Sequence, residues 1–295
     1  METTDSIKRR IGNVEDLLSI VETMKMMAAI NIRHYEQAVE AINEYGRTVD
    51  QGFQVLFMRR PGELSPLKTQ TEGRTGAIIF GSDQGMCGQF NEQIASFARQ
   101  ALADLDVRPS DRMVLALGTR LAAHYESINW PVDDAWLVPS SVKGITPLVQ
   151  DIVLKIDKWR ATEGVSQVLL FYNRPLSSAG YESHLFRLLP LDWDAFRRLA
   201  NEEWPSRSLP QFTSDWAELL AVLLRQYLFV SIYRAFAESL MSENASRLVT
   251  MQAAERNIEE HLEELNTQFH QQRQQSITAE LLDIIAGFES VTSTG

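Results

Sequence analysis

The residues best suited to chemistry lie in one turn, Gly81-Ser82-Asp83-Gln84-Gly85-Met86-Cys87-Gly88. It follows an apolar run and precedes a helical pattern, where phosphate-binding loops occur. Its glycine spacing fits neither the dinucleotide fingerprint nor a Walker loop. Asp83, Gly85, Cys87 and Gly88 therefore read as a structural strand-to-helix turn, with glycines supplying positive φ. Cys87 near Asp83 suggests a nucleophile, but no histidine is close in sequence and a lone buried thiol is usually inert. The five histidines (His34, His124, His184, His261, His270) are scattered and read as solvated or packed side chains. The single cysteine excludes an internal disulfide and a Cys-rich metal site. The expectation is no catalytic residue, no cofactor and no metal.

The turn belongs to an α/β segment. Short apolar runs at Ala77–Phe80, Met113–Leu117, Ala135–Val138 and Val168–Tyr172 alternate with helical patterns at Phe90–Leu105, Leu121–Tyr125 and Ile145–Trp159. Ser183–Leu189 adds a fifth strand with no intervening helix, so that edge reads as antiparallel. Continuous apolar strands alternating with helices indicate a sheet covered on both faces.

A long helix flanks this segment on each side. Over Ile7 to Leu56, one seven-residue seam reads Ile7, Val14, Val21, Ala28, Tyr35, Ile42, Val49, Leu56. The second, four residues on, reads Ile11, Leu18, Lys25, Ile32, Val39, Gly46, Phe53, broken only by Lys25 and Gly46. A 3.5-residue repeat held this long means a left-handed coiled coil, about 75 Å in length. Asp5 or Ser6 can cap its start, and Arg59-Arg60-Pro61-Gly62 ends it. The second helix starts near a cap at Thr213 or Ser214. It carries Leu248, Met251, Ile258, Leu262, Leu265 and Phe269, then slips phase to Ile277, Leu281, Ile284 and Phe288. The expected fold is α/β: a long antiparallel coiled coil of the N- and C-terminal helices plus a Rossmann-like domain with a five-stranded sheet. The divisions are 1–60 and 213–290 for the shaft, 75–190 for the α/β domain, and 61–74 and 191–212 for irregular linkers.

A net charge of −11 argues against a general nucleic-acid binder. The N-terminus has no signal-peptide pattern. No uncharged apolar run of about 18 residues is found, Leu219–Tyr233 being interrupted by Arg225, so no membrane span is expected.

Three stretches resemble the gamma-subunit family of rotary F-type ATP synthases. Ile7-Lys8-Arg9-Arg10-Ile11 with Thr23-Met24-Lys25-Met26-Met27-Ala28-Ala29 is similar to the family's I-[KR]-x-R-I and T-x-[KA]-M-[KE]-M-V-A-[AS] blocks. Ser82 to Asn91 resembles S-D-[RK]-G-L-C-G-x-[LF]-N. Ser242 to Met251 resembles S-E-x-A-[AS]-R-M-x-A-M, and Asn266 to Leu281 is similar to N-x-x-R-Q-x-x-I-T-x-E-L, the most specific of the set. The resemblance implies a central stalk turning inside a ring of three alpha and three beta subunits. Its base would meet the epsilon subunit and the membrane c-ring, at the cytoplasmic face of the inner membrane. It implies a non-catalytic rotor, with Arg273 and Gln274 as a catch for a beta loop, supported by Thr278 and Glu280. Met24 and Lys25 would meet an acidic beta lever, and Arg247 the same region from the second helix.

The chain departs from the pattern in three places. Asn31-Ile32-Arg33-His34 stands where the family has K-M-R-[RK]. Gln252 replaces the lysine of K-x-A-[TS]-x-N. Residues 255–264 hold Glu255, Glu259, Glu260, Glu263 and Glu264 against Arg256 alone. A more acidic shaft would weaken an electrostatic grip on an acidic lever. These departures suggest a divergent branch, of the alternative F-ATPase type sometimes assigned to sodium pumping. Two other readings stand beside the rotor: a free-standing enzyme using the Gly81–Gly88 loop, which leaves the long helices unexplained, and a coiled-coil adaptor, which leaves the Arg273–Leu281 block unexplained.

Overall fold

The computed structural model describes residues 4–59, 73–176, 180–204, 208–213 and 215–292. The Pro61-Gly62 stop, most of the 61–74 linker and the Ser214 cap lie outside them. The side chain of Phe288 does too.

Helix α1 spans Thr4–Arg59. It starts ahead of both proposed caps; Asp5 instead lies in the first turn, where a carboxylate offsets the helix dipole. The sheet is built from β1 (Arg74–Phe80), β2 (Arg112–Leu117), β3 (Asp134–Trp136), β4 (Val165–Leu176) and β5 (Gly180–Leu189), with α2 (Phe90–Asp104), α3 (Thr119–Ser127) and α4 (Val142–Thr162) between the first four strands. The strand order is β3-β2-β1-β4-β5. All pairs are parallel except β4 with β5, as the missing crossover helix predicts. Central β1 is buried on both faces after its first residue, which explains its unbroken apolar run, whereas edge strand β5 is half-buried over most of its length.

Residues 191–212 are not wholly irregular, because α5 (Trp193–Ala200) forms there. Asp192 caps it, its carboxylate accepting from the amides of Asp194 and Ala195 at 3.0 Å. Trp193 and Phe196, one turn apart, join Phe53, Phe57 and Tyr227 in an aromatic cluster; the Phe53 and Phe196 rings lie 4.5 Å apart. Helix α6 then spans Trp216–Thr292. Its cap is Asp215, two residues past Thr213: Asp215 accepts from the amide of Ala217 at 3.2 Å.

The chain divides into two compact units, Met1–Ala28 with Leu248–Gly295, and Ala29–Arg247. The second unit holds the sheet and the adjoining parts of α1 and α6. On one sheet face, α4 and α6 pack with Tyr35 of α1 in a core that includes Phe80, Trp159, Ile232 and Phe236. On the other, α2 and α3 supply Ile94, Ala98, Leu121 and Tyr125. Within this unit the two long helices run antiparallel: Asn31 meets Asn244, Tyr45 meets Gln226, and Gly52 lies against Leu223. An 18-residue window within Trp216–Leu282 reaches a mean hydropathy of 1.4 with no more than two charged residues. By length and composition α6 thus meets the requirement for a membrane span, contrary to the expectation from sequence. Several of its apolar residues, including Leu220, Val230, Ile232, Ala235, Phe236 and Leu240, are instead buried in the protein's own core.

The smaller unit pairs the start of α1 with the last part of α6. Ile7, Ala28, Met251 and Leu265 are buried in it. Along the whole of α1 no seam residue is exposed, whereas the off-seam apolar residues Leu17, Ile20, Met26, Met27 and Ile30 are.

Candidate functional site

Two of the family-like motifs form one joint. The Gly81–Gly88 turn leaves the end of β1, beside the point where strand order reverses between β1 and β4. In open α/β sheets this crevice is the usual ligand site. Here α6 occupies it. The Ser246 hydroxyl donates to the Cys87 carbonyl at 2.6 Å, and Ser242 donates to the Asn173 carbonyl of β4 at 3.1 Å. Arg247 Nη2 donates to the carbonyls of Gln84 and Gly85 at 3.3 and 3.4 Å. It also pairs with Glu243 at 2.6 Å, both side chains being under a tenth exposed. Burial raises the Glu243 pKa; the Arg247 charge opposes that rise. Ser242, Glu243, Ser246 and Arg247 fall on one helical face because their spacing is one, three and one. That buried polar face was the sequence signal for the joint.

The turn's own polar groups are engaged in structure. Asp83 accepts from the amides of Thr119 and Val138 at 2.8 and 2.9 Å, tying the turn to the start of α3 and to the connection between β3 and α4. The Ser82 amide donates to Asn91 Oδ1 at 2.9 Å, and Asn91 Nδ2 donates back to the Ser82 hydroxyl at 2.8 Å. The turn thus presents carbonyls to a guanidinium, the opposite polarity to an anion cradle of amides. Its glycines act differently from the expectation. Only Gly88 has positive φ, at 59°, and Met86 shares that conformation. Gly81 is needed for close approach, since a Cβ there would sit 2.4 Å from the Leu121 Cβ, while at Gly85 the nearest atom would be 3.7 Å away. Cys87 is buried, with its Sγ 3.7 Å from the Ser82 hydroxyl, and burial pushes its thiol pKa up. A raised pKa lowers the thiolate fraction, so the geometry favours a packed thiol over a nucleophile.

The remaining predicted residues occupy two stations in the smaller unit. At the first, Met24 is half-buried and Lys25 Nζ reaches both carboxylate oxygens of Glu255, at 2.5 and 2.6 Å. At the second, Arg273, Gln274, Thr278 and Glu280 are all exposed on α6. Thr278 Oγ1 donates to the Gln274 carbonyl one turn back at 2.8 Å. Glu255 and Arg273 are 18 residues apart on one helix, about 27 Å, so the structure does not gather these residues into one patch. Of the three cations expected at partner contacts, Arg273 is exposed, Arg247 is enclosed in the joint and Lys25 faces Glu255. In the sequence Glu255 reads only as excess acid; its role as a partner was missed because pairing needs the register of two distant segments.

The exposure of Thr278 and Glu280 has a geometric origin. Thr4, where α1 begins, is 21 residues before Lys25; counting 21 beyond Glu255 in antiparallel register reaches residue 276. The described part of α1 therefore ends where the phase slip begins. Ile277, Leu281, Leu282, Ile284 and Ile285 are each about half exposed or more.

Comparison with known proteins agrees with this architecture. A family model described as ATP synthase matches residues 3–291. The ATP synthase gamma chain of Geotalea daltonii is 27% identical over 294 residues, covering 99% of each chain. That of Gloeothece citriformis is 28% identical over 309 residues, covering 95% of this chain and 97% of its own. Among solved structures, a chain of the Euglena gracilis mitochondrial ATP synthase (OSCP/F1/c-ring) aligns with a TM-score of 0.63 at 18% identity over 98% of this chain and 94% of that one. A chain of the Tetrahymena thermophila central stalk/c-ring structure aligns at 0.57 and 19% identity, over 80% of this chain and 99% of that one. With a family match from residue 3 to residue 291, this chain belongs to the ATP synthase family, in which gamma chains match it over essentially their whole length.

Proposed function

We propose that this chain is the central rotor of a membrane-associated F-type ATP synthase. It couples ion flow through the membrane sector to ATP synthesis or hydrolysis in a surrounding ring. The observation that carries the reading is the division of apolar surface on the long helices. The seams are covered by the chain itself, while apolar and polar side chains on the last part of α6 remain open beyond the start of α1. An apolar surface of that kind needs a partner. In this reading three alpha and three beta subunits enclose it, and the α/β domain meets an epsilon subunit and the c-ring at the cytoplasmic face of the membrane. Arg273 and Gln274 form the catch for a beta loop: a guanidinium and an amide on an open helix surface can each hydrogen-bond a carboxylate. Thr278 and Glu280 flank that catch, and Met24 adds an apolar contact at the other station. Catalysis belongs to the ring; this chain carries torque.

The test is co-expression with the neighbouring alpha and beta subunits, followed by size-exclusion chromatography and an ATPase assay. The expected result is a complex with one copy of this chain to three of each partner. Its hydrolysis should fall several-fold when Arg273 and Gln274 are both replaced by alanine, on the scale of about 1 to 3 kcal/mol for a lost charge-assisted contact. A chain that never joins such a complex, and binds a small molecule alone, would overturn the reading.

A further inference from the structure

Lys25 is the one charged residue in the two seams of α1, and it meets a carboxylate. Both partners are partly covered, Lys25 at 32% and Glu255 at 17% side-chain exposure. Their neighbours along the seams are apolar: Leu18 and Ile32 on α1, Met251 and Ile258 on α6, none of them exposed. Glu255 also stands where the family pattern has serine or threonine.

The register explains the arrangement. Coiled-coil helices can slip by one heptad and still match apolar seams. Seven residues either way from Glu255 are Leu248 and Leu262; seven either way from Lys25 are Leu18 and Ile32. A slip in either direction would set Lys25 against leucine and Glu255 against leucine or isoleucine. Both charges would then be partly covered and unpaired, which is unfavourable. Only the observed register pairs them.

We propose that Lys25 and Glu255 form an internal ion-pair lock that fixes the register of α1 against α6 in the smaller unit. The lock holds whether or not the chain turns in a ring. In combination with the rotor reading it has one consequence: Lys25 is engaged within the shaft and is not the cation that grips a partner's acidic loop.

Native-state hydrogen exchange on the full chain tests the lock without any partner. Exchange in this regime reports local opening. Lys25→Glu and Glu255→Lys each place like charges together, and each should speed exchange across residues 18–32 and 248–262 by about 5- to 10-fold, the scale of a lost pair plus repulsion. The milder Glu255→Gln should speed it about 3-fold. The double exchange, Lys25→Glu with Glu255→Lys, should restore protection to within about 2-fold of the unaltered chain. Unchanged exchange in the single variants, or a double variant as fast as the two singles combined, would overturn the lock. Either result leaves the assembly test untouched, so failure of the lock and failure of the rotor reading are distinguishable.

Discussion

Two stretches of α6, Ser242–Arg247 and Arg273–Glu280, both carry family-like polar motifs, yet they have opposite environments. In the first, Ser242, Glu243 and Arg247 are buried and Ser246 is half-buried, with hydrogen-bond partners on the turn, on β4 or on each other. In the second, Arg273, Gln274, Thr278 and Glu280 are exposed. A buried polar group must be matched by its own chain, because desolvation without a partner is unfavourable by about 1 to 3 kcal/mol, more for a charge. An exposed polar group is free to serve something else. Motif similarity therefore marks both stretches, and burial separates the one that builds the protein from the one left open to solvent.

The comparison breaks most sharply at Arg247. Arg247→Ala leaves the Glu243 carboxylate buried without its cation, a loss of about 3 to 5 kcal/mol. Urea unfolding of the full chain should show a correspondingly lower midpoint. A change under about 1 kcal/mol would mean that the joint does not hold the turn to α6.

A smaller effect is expected at Glu238, a second partly buried acid on α6. Burial is the main cause raising its pKa above 4.5, opposed by Arg234 and Arg174. The folded chain then holds this proton at a pH where the unfolded chain has lost it. The associated stability is fully present below the unfolded value and falls as pH rises through the folded one. Glu238→Gln should remove that decline. Relative to the unaltered chain it should gain stability at pH 7 over its standing at pH 4. Urea titrations at the two pH values measure it, and parallel pH profiles would contradict the assignment.

The least change in stability belongs to the exposed station. Replacing Arg273 and Gln274 by alanine should alter unfolding by no more than about 0.5 kcal/mol, as for surface positions generally, even where it lowers hydrolysis in the assembled complex as the rotor reading expects. A large loss of stability would place these residues in the fold and dissolve the contrast with Arg247.

Much of this was legible from the chain alone. Continuous apolar runs located the strands and period-3.5 patterning the long helices, because burial on two faces or along one seam fixes side-chain type. The antiparallel edge followed from β4 and β5 having no helix between them. Local misses had local causes. Helix α5 is only eight residues long, and so short a window carries little periodicity. The cap of α6 lies one or two residues beyond the expected positions, and the Gly81 requirement lies in Leu121, which is 40 residues away in sequence.

What the sequence by itself determined was the set of surfaces that had to be covered: two apolar seams on α1, a doubly covered sheet, and an apolar stripe on α6. Periodicity contains that information because it is a property of one element. What only the tertiary structure decided was which polar groups meet. Arg247 reaches the Gln84 and Gly85 carbonyls across more than 160 residues of sequence, and Lys25 reaches Glu255 across 230. Such contacts depend on the register between separate elements, and a one-heptad slip keeps most apolar positions facing apolar ones while separating Lys25 from Glu255. Apolar burial is non-directional and tolerates many registers; hydrogen bonds and ion pairs need atoms within about 3 Å. That difference in range is why the fold class was open to inspection and the roles of Arg247 and Lys25 were not.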